Sequence, residues 1–206
     1  MSIKIRNAKE TDSPFLAQMM LQSSRAGKKV GMFDLIFDTT DDKKILDSLE
    51  ALSKTTAKNH CRYSNFLIAE LNGKSVGTLC SYEPRIATKQ AFFDSLHEIG
   101  CENVEDSLDF LYCCDFSLNN RTLMFDFMEE LEGFIDVGVL RDLMQKSLLT
   151  ARLKGYRIAQ TLVEIGSLES LLFYKKLGFK QVQEQECELY KEKFGRAGLV
   201  LLAIEF

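Results

Sequence analysis

The sequence predicts a mixed α/β fold within a single domain, and three observations support this prediction. Strand-like and helix-like segments alternate along 206 residues, a length that suits one domain with a sizeable core. Asn72-Gly73 separates two apolar runs, and this dipeptide predicts a hairpin because both central residues of a type I′ turn need positive φ. Gly155 and Gly178 each follow a helix-like stretch, where a glycine commonly ends the helix.

The first part of the chain predicts one strand, two helices and the hairpin. Alternation of isoleucine with charged residues predicts a strand at residues 3–6. Asp12, Ser13 and Pro14 predict a helix start, because proline suits the first helical position. Apolar residues at three- and four-residue spacing predict a second helix at about residues 41–59, and the hairpin strands follow at residues 66–71 and 75–80.

The second half of the chain predicts four strands with two helices between them. A strand at residues 122–131 is followed by a loop, and a helix with 3.6-residue periodicity then runs to about Lys154. The remaining elements are predicted as a buried strand at 157–165, a short helix at 168–177, and strands at 179–189 and 198–206. The predicted domain spans residues 1–206.

Residues 87–120 are predicted to be a helical insertion within this domain. One short amphipathic helix is indicated by the spacing of Phe92, Phe93, Leu96 and Ile99, and another by Val104, Leu108, Leu111 and Tyr112. A helix pair between two strands could form a lid or one wall of a pocket. It could equally cover one side of the sheet, and the sequence does not separate these two interpretations.

Composition and charge exclude several classes of protein. Hydrophobic residues make up 46% and charged residues 27%, which excludes a disordered chain. Twenty-six basic and thirty acidic residues give a net charge of −4, without the basic face of a nucleic-acid-binding protein. No apolar run approaches the roughly 20 residues of a membrane span. The start of the chain lacks the apolar core of a signal peptide, so we expect a cytoplasmic protein without a membrane partner.

The six cysteines predict neither a disulfide framework nor a metal site. They include the adjacent pair Cys113-Cys114, but no two are spaced as C-x-x-C, and the chain has only two histidines. We therefore expect reduced thiols without a role, and no metal.

Residues 121–179 resemble the GNAT N-acetyltransferase superfamily. The most specific part is Phe173-Tyr174-Lys175-Lys176-Leu177-Gly178-Phe179, which is similar to the family's motif B, where a short helix with a tyrosine ends on Leu-Gly-Phe. Leu148 to Tyr156 is similar to the end of the family's central helix. Gly138 then falls on the first glycine of the acetyl-CoA loop pattern Q/R-x-x-G-x-G/A. The order of the outer elements also agrees, so that only residues 87–120 lie outside the resemblance.

The resemblance implies an N-acyltransferase that moves an acetyl group from acetyl-CoA to a primary amine by direct attack. It implies a mixed, mostly antiparallel sheet in which a central parallel strand pair, residues 122–131 and 157–165, splays apart to hold the acyl-CoA. Unpaired backbone groups of the splayed strands can bind the pantetheine arm as if it were a strand. The pyrophosphate would lie at the N-terminus of the helix that begins near Val139.

The resemblance also implies roles for individual residues. Tyr174 would return a proton to the leaving thiolate, and Asp126 would accept a proton from the substrate ammonium, with Glu129 and Glu130 as rivals. Strand alternation predicts Asp126, Met128 and Glu130 on one face, and Phe125, Phe127 and Glu129 on the other. The catalytic candidates are Tyr174, Asp126 and Glu130, and the cofactor-binding candidates are Met128, Glu130, Gly138, Val139, Leu140, Arg141, Ser170 and Tyr174.

Structural roles remain open for the same residues. Tyr174 could simply pack its helix on the sheet, the carboxylates could be solvated strand-end charges, and Ser167 could cap the helix that carries Tyr174.

The acetyl-CoA loop departs from the GNAT pattern. Ile135 and Leu140 replace the Q/R and the last Gly/Ala of the loop pattern, and residues 122–140 contain five carboxylates without a lysine or arginine. This favours the alternative of a non-catalytic GNAT-fold binding module.

The acceptor amine and the oligomeric state are not specified by the sequence. The acceptor could be a small molecule or a peptide, and a different acyl-CoA could replace acetyl-CoA. The apolar final strand, residues 198–206, could pair across a two-fold axis and form a homodimer.

Overall fold

A mixed β-sheet runs through the whole molecule. The computed structural model of the protein describes residues 2–102, 108–114, 116, 122–135 and 137–206. Seven strands join in the order β1-β2-β3-β4-β5-β7-β6, and among the described residues only β4 and β5 pair in parallel. The predicted mixed, mostly antiparallel sheet is confirmed. The strands are β1 Lys4–Asn7, β2 Phe66–Leu71, β3 Lys74–Tyr82, β4 Thr122–Glu130, β5 Ile158–Glu164, β6 Lys180–Glu186 and β7 Gly198–Glu205.

Helices cover both faces of this sheet. The first core cluster joins α1, α3 and α4 to one face, and the second joins α5 and α6 to the other. In the described part of the chain, no helix combines the length and apolar character that crossing a membrane requires. The helices are α1 Ser13–Arg25, α2 Met32–Ile36, α3 Asp42–Ser53, α4 Lys89–Glu98, α5 Val139–Leu153, α6 Leu168–Lys176 and α7 Glu188–Phe194.

The predicted turn and helix ends are confirmed. Asn72 and Gly73 have φ of 52° and 78°, as a type I′ hairpin turn requires, and they join β2 to β3. Gly155 follows α5 with φ of 84°, and Gly178 follows α6 with φ of 96°. These conformations are accessible to glycine because it has no Cβ, so both helices end where the sequence indicates.

Outside residues 87–120, three helical features differ from the prediction. The second predicted helix ends at Ser53 rather than near Asn59, because Thr55 Oγ1 donates to the Leu52 carbonyl and Asn59 Nδ2 donates to Thr55 Oγ1. These side-chain hydrogen bonds fold residues 54–59 away from the helical path. Helices α2 and α7 were not predicted, since five and seven residues are too short to show a helical period. Helix α7 replaces the end of the strand predicted at residues 179–189.

The segment 87–120 contains the first of its two predicted helices. Helix α4 buries Phe92, Phe93 and Leu96 against the first core cluster. The second predicted helix falls partly on residues 103–107, which lie outside the described residues. Within the described part, Asp109–Leu111 forms a single 3-10 turn instead. The assignment of residues 87–120 as an insertion stays a prediction.

The final strand lies inside the sheet. Strand β7 pairs with β5 along one edge and with β6 along the other, so both rows of its backbone groups are hydrogen-bonded. The prediction that this strand pairs with a second copy is therefore wrong, because a neighbour in the same chain already occupies each edge. The apolar residues of this strand are buried on the two faces of the sheet, with Val200 and Leu202 in the second core cluster and Leu201 beside Cys114 and Phe116.

Gly77 in β3 holds α5 close to the sheet. A Cβ at Gly77 would lie 2.6 Å from Val139 Cγ1 and 2.9 Å from the Glu129 carbonyl oxygen. Val139 is fully buried at the first position of α5, so it has no free space into which to move. The glycine thus sets how near the N-terminus of α5 lies to β4.

We predict that Gly77→Ala lowers the free energy of unfolding by about 1–3 kcal/mol, the range for overpacking a filled core. Chemical denaturation of the purified variant measures this change. Gly133→Ala is the matched control, because a Cβ at Gly133 meets no atom within 4 Å. Equal stability of Gly77→Ala and wild type would contradict the close contact between β3 and α5.

Candidate active site

The two parallel strands separate halfway along their length. β4 and β5 pair from Thr122–Ile158 to Phe125–Thr161, and no further pairs join them although both strands continue. A cavity of about 840 Å³ opens at this point, bounded by residues of both strands. This volume lies in the range of small-molecule and cofactor sites. The predicted splay between the strands is confirmed.

A β-bulge in β4 lies at the point where the strands separate. Cys80 pairs with Asp126, but Thr78 pairs with Glu129, so β4 contains one residue more than β3 across this interval. Phe127 takes up the extra length with φ of 43°, a strained value for a bulky residue. Two hydrogen bonds hold it there, from the Phe127 N–H to Asp126 Oδ1 at 2.8 Å and from Thr78 Oγ1 to the Phe127 carbonyl at 3.2 Å.

Aromatic packing stabilises the strained residue. The ring of Phe127 stacks against Phe33, His60 and Phe66, with centroid separations of 5.9, 5.9 and 6.1 Å. Contacts of this kind contribute beyond simple burial, by about 0.5–1.5 kcal/mol per pair. The packing of the first core cluster thus offsets the cost of the positive φ.

The bulge reverses part of the predicted alternation along β4. Asp126 and Glu129 share a face, because their partners Cys80 and Thr78 are two residues apart on β3. Phe127 lies on this same side in the first core cluster, whereas Phe125 and Met128 pack with the second. The prediction that Asp126, Met128 and Glu130 share one face is therefore wrong. The extra residue shifts the alternation by one position, and no local sequence signal marks it.

Asp126 and Glu129 are carboxylates with raised pKa values. Burial raises the pKa of Asp126 to about 6, and the hydrogen bond from the Phe127 N–H offsets part of this shift. Burial also raises the pKa of Glu129 to about 7, with a further contribution from the charge of Glu130. Gln22 Nε2 donates to Glu129 Oε2 at 2.8 Å and to the Glu130 carbonyl at 3.0 Å, so α1 orients this end of β4. Both carboxyl groups can exchange a proton near neutral pH.

Tyr174 presents its hydroxyl group to the same cavity. Its ring is buried and packs edge-on against Phe179 at 5.2 Å, while the hydroxyl lies 3.5 Å from Thr161 Oγ1 at the last paired position of β5. Burial raises the pKa of Tyr174 to about 12, and the negative charges of Asp126 and Glu129 add to the shift. The phenol therefore stays protonated throughout the physiological range. The ring packs the helix, and the hydroxyl remains available for chemistry.

The N-terminus of α5 reaches the cavity through Leu140, whereas Gly138, Val139 and Arg141 are not among the lining residues. Gly138 has φ of 92° and precedes the helix, and the Val139 side chain is buried beneath it. Only the backbone N–H of Val139 can therefore contact a ligand. The Arg141 side chain folds back over Gly138 and is mostly exposed, with Nε 3.4 Å from Asp142 Oδ1. The first-turn amides of this helix lack intrahelical partners and favour an anion.

Other predicted site residues also line the cavity. Met128, Glu130, Leu140 and Ser170 are among its lining residues. Ser167 stands at the N-cap position of α6, but its hydroxyl donates to Ser170 Oγ at 3.2 Å and makes no capping hydrogen bond. The predicted N-cap position of Ser167 is therefore confirmed, but its side chain accepts no hydrogen bond from the first-turn N–H groups.

Carboxylates dominate the charge of the lining. The described residues that line the cavity include no lysine or arginine, but they include Asp126, Glu129, Glu130, Glu132, Glu164 and Glu169. Glu164 is compensated, because Lys28 Nζ donates to it at 2.6 Å and Tyr190 Oη at 3.1 Å. The lining gains negative charge as the pH rises through the pKa values of Asp126 and Glu129, and this charge attracts a cation.

Three residues of the site were not identified from the sequence. Gln22 contacts β4 from α1, His60 lines the cavity beside Phe127, and Tyr190 lines it from α7. Burial lowers the pKa of His60 to about 4, so its imidazole is neutral at physiological pH. None of the three lies in a motif, and they meet the site through contacts distant in sequence. Phe92, Leu111 and Tyr112 also line the cavity, so the segment 87–120 supplies part of its wall.

Comparisons with known proteins identify the fold. No family model and no curated protein sequence matches this chain. Among solved structures, it is similar to an acetyltransferase with a TM-score of 0.71 and 16% identity, covering 98% of both chains. An N-acetyltransferase from Staphylococcus aureus Mu50 gives 0.70 and 17%, covering 98% of this chain and 100% of the other. A GCN5-related N-acetyltransferase from Kribbella flavida gives 0.62 and 16%, with coverage of 99% and 98%.

We predict that Asp126→Asn stabilises the protein, and more so as the pH rises. The folded-state pKa of about 6 lies above the unfolded value of 3.8, so wild type loses stability as the pH rises between them. The amide cannot ionise, yet its oxygen can still accept from the Phe127 N–H. The stability of the variant relative to wild type should therefore grow by on the order of 1–3 kcal/mol between about pH 4 and pH 8. Urea denaturation at both pH values tests this, and a constant difference would contradict it.

Proposed function

Since this chain has the GNAT N-acetyltransferase fold, we propose that it transfers an acetyl group from acetyl-CoA to a primary amine. The observation that carries the proposal is the opening between β4 and β5, where Asp126, Glu129 and Tyr174 line one cavity. A proton acceptor and a phenol thus lie together beside unpaired strand backbone. These are the groups that direct attack of an amine on a thioester requires.

The backbone around the opening would hold an acyl-CoA as co-substrate. The strand ends beyond Phe125 and Thr161 leave backbone groups that the extended pantetheine arm can pair with. The backbone amides of Val139, Leu140 and Arg141 would hold the pyrophosphate at the start of α5, after the φ-positive Gly138. Met128, Glu130 and Ser170 would contact the arm along its length. Bound acetyl-CoA supplies an activated acyl group as a thioester.

The two carboxylates with raised pKa values would deprotonate the attacking amine. An ammonium ion has no free electron pair, so attack needs transfer of its proton to a nearby base. Asp126 and Glu129 face the same side of β4 and ionise with pKa values of about 6 and 7. They can accept a proton only above these values, so the rate should rise through this range. Glu130 lies on the other face and would add negative charge at the mouth.

Tyr174 would stabilise the departing sulfur. A thiol has a pKa of about 8.5 in water, so the thiolate is a weaker base than tyrosinate. A phenol with a pKa of about 12 therefore donates a hydrogen bond to the thiolate, and solvent completes the protonation. The contact with Phe179 and the proximity of Thr161 fix the direction of the hydroxyl.

The acceptor would be a cationic amine, presented by a small molecule or a peptide. The lining carboxylates raise the local concentration of a cation and orient its ammonium group toward Asp126. Phe92, Leu111 and Tyr112 add apolar wall on the same side. We propose that the segment 87–120, as an insertion, shapes the acceptor part of the cavity.

A second candidate is a non-catalytic binding module with this fold. It is favoured by the absence of lysine and arginine among the described residues that line the cavity. A pyrophosphate beside several carboxylates is destabilised unless helix amides and Arg141 compensate. Ile135 and Leu140, both lining residues, place apolar bulk where the GNAT pattern has a cation and a small residue.

We predict that calorimetric titration detects acetyl-CoA binding to wild type, and that Ile135→Arg with Leu140→Ala binds it about tenfold more tightly. The arginine adds a charge-assisted contact to phosphate. The smaller alanine side chain lets the phosphate approach the backbone N–H groups of α5 more closely. Val182→Arg on the exposed edge strand β6 adds the same charge elsewhere and should change the affinity little. Failure of wild type and the double variant alike to bind would exclude the acetyltransferase proposal.

We predict that Tyr174→Phe lowers the acetyl-transfer rate by roughly tenfold to a thousandfold, with acetyl-CoA affinity nearly unchanged. The ring keeps its packing, so the melting temperature should barely move. A panel of polyamines, amino sugars and lysine peptides provides the acceptors, with release of free CoA as the measurement. Tyr156→Phe is the control, because Tyr156 lines a separate cavity at the other end of the sheet. Equal rates in wild type and Tyr174→Phe would remove Tyr174 from the mechanism.

A further inference from the structure

Three of the six cysteines meet outside the proposed active site. The sulfur atoms of Cys113, Cys114 and Cys187 all lie within 4.8 Å of one another. Cys114 is buried, and the other two are partly exposed. Cys187 is 73 residues from Cys114 in the sequence, so the fold, and not chain connectivity, brings its sulfur to the other two.

The local backbone directs the two adjacent cysteines to the same place. Side chains of consecutive residues point in opposite directions in an extended chain. Here the chain bends at Cys113 and Cys114, just after the 3-10 turn Asp109–Leu111, and both sulfurs reach Cys187. Cys187 lies between β6 and α7, two elements of the C-terminal part of the sheet. The cluster therefore joins the segment before β4 to the segment after β6.

Each sulfur is held in position by a separate contact. Cys113 Sγ donates to the Phe110 carbonyl at 3.3 Å, and Cys114 Sγ donates to the Gln185 carbonyl at 3.5 Å. The Cys187 sulfur accepts from the backbone N–H groups of Leu189 and Tyr190. Leu201, Phe116 and Leu199 pack around the three cysteines as a small apolar cluster. The three sulfurs thus lie beside apolar side chains, with Cys113 and Cys187 partly exposed to solvent.

We propose that Cys113, Cys114 and Cys187 together bind a thiophilic metal ion, of the class of Zn²⁺ or Cu⁺. Three ligands at a metal–sulfur distance of about 2.3 Å lie about 4 Å apart in a trigonal arrangement. The observed limit of 4.8 Å thus needs a contraction of less than about 1 Å. Thiolates select these ions over hard cations, Cu⁺ filling the trigonal site and Zn²⁺ taking a water as fourth ligand. Each thiol releases its proton to solvent as its bond to the metal forms.

A disulfide accounts for the arrangement less well. An S–S bond would join only two of the sulfurs and leave the third without a partner. A bond between the adjacent residues Cys113 and Cys114 would close a strained ring. All three sulfurs lie within 4.8 Å of one another, which suits one central ion. The proposal departs from the sequence expectation, since this ligand set has no spacing motif.

The metal would brace one wall of the active-site cavity. Tyr112 precedes Cys113 and Tyr190 follows Cys187 by three residues, and both tyrosines line the cavity. Phe110 and Phe194 already join the same two segments, with ring centroids 5.6 Å apart. A metal bound to both segments would hold this wall in place. The metal site itself does not depend on the proposed acetyl transfer.

Titration of the reduced, metal-free chain with Cd²⁺ tests the proposal, because thiolate-to-cadmium charge transfer absorbs in the ultraviolet. We expect one equivalent to bind, with displacement by Zn²⁺ or Cu⁺ identifying the preferred ion. Cys113→Ser, Cys114→Ser and Cys187→Ser should each weaken binding at least tenfold. Cys101→Ser is the control, because Cys101 is also partly buried but packs against the first core cluster. The proposal would be overturned if wild type showed no charge-transfer band, or if all three cluster variants showed a band as strong as that of wild type.

Intact-mass analysis after alkylation gives a second measurement. Bound metal should protect Cys113 and Cys187 of wild type from iodoacetamide, and removal of the metal with a chelator should restore their alkylation. Circular dichroism of each variant establishes that it is folded, and the metal should raise the melting temperature of wild type by mass action. A mass two hydrogens lower in the metal-free protein, with protection that persists without metal, would show a disulfide and contradict the proposal.

Discussion

The extra residue in β4 is the constraint on which the site depends. By placing Phe127 at positive φ, the bulge turns the end of β4 away from β5 and brings Asp126 and Glu129 to one face. Three aromatic neighbours and two hydrogen bonds offset the cost of this positive φ, which phenylalanine does not favour by itself. Pairing with β5 ends at Phe125, two residues before Phe127, and the cavity opens beyond that point. The cavity is therefore a consequence of strand geometry.

Burial gives the carboxylates of this opening their chemistry. A carboxyl group in a low-dielectric site keeps its proton to higher pH, which brings the pKa of Asp126 and Glu129 near neutrality. The same low dielectric keeps the Tyr174 phenol protonated. One environment thus prepares an acceptor and a donor of protons within one cavity. Under the proposed function, the helix amides after Gly138 would have to bind the diphosphate, because the described residues of the lining supply no cation.

The wall of the cavity joins three segments that are distant in sequence. Residues of α1, of the 87–120 segment and of α7 meet across it, and the cysteine cluster lies directly behind the last two. Salt bridges from Lys28 and Arg196 to Glu164 fix the same region from the side of β5. A metal ion at the cysteines would add a constraint where the described segments are held by a few aromatic and polar contacts.

Short-range signals in the sequence determined much of the fold. The hairpin at Asn72-Gly73, the helix ends at Gly155 and Gly178, and the strand-helix order around Tyr174 depend on φ preferences and periodicity within a few residues. Only the tertiary structure decided the bulge at Phe127, the interior position of β7, the raised pKa values and the meeting of Cys113, Cys114 and Cys187. Each of these depends on which distant segment packs beside it, and burial and register are properties of the assembled sheet.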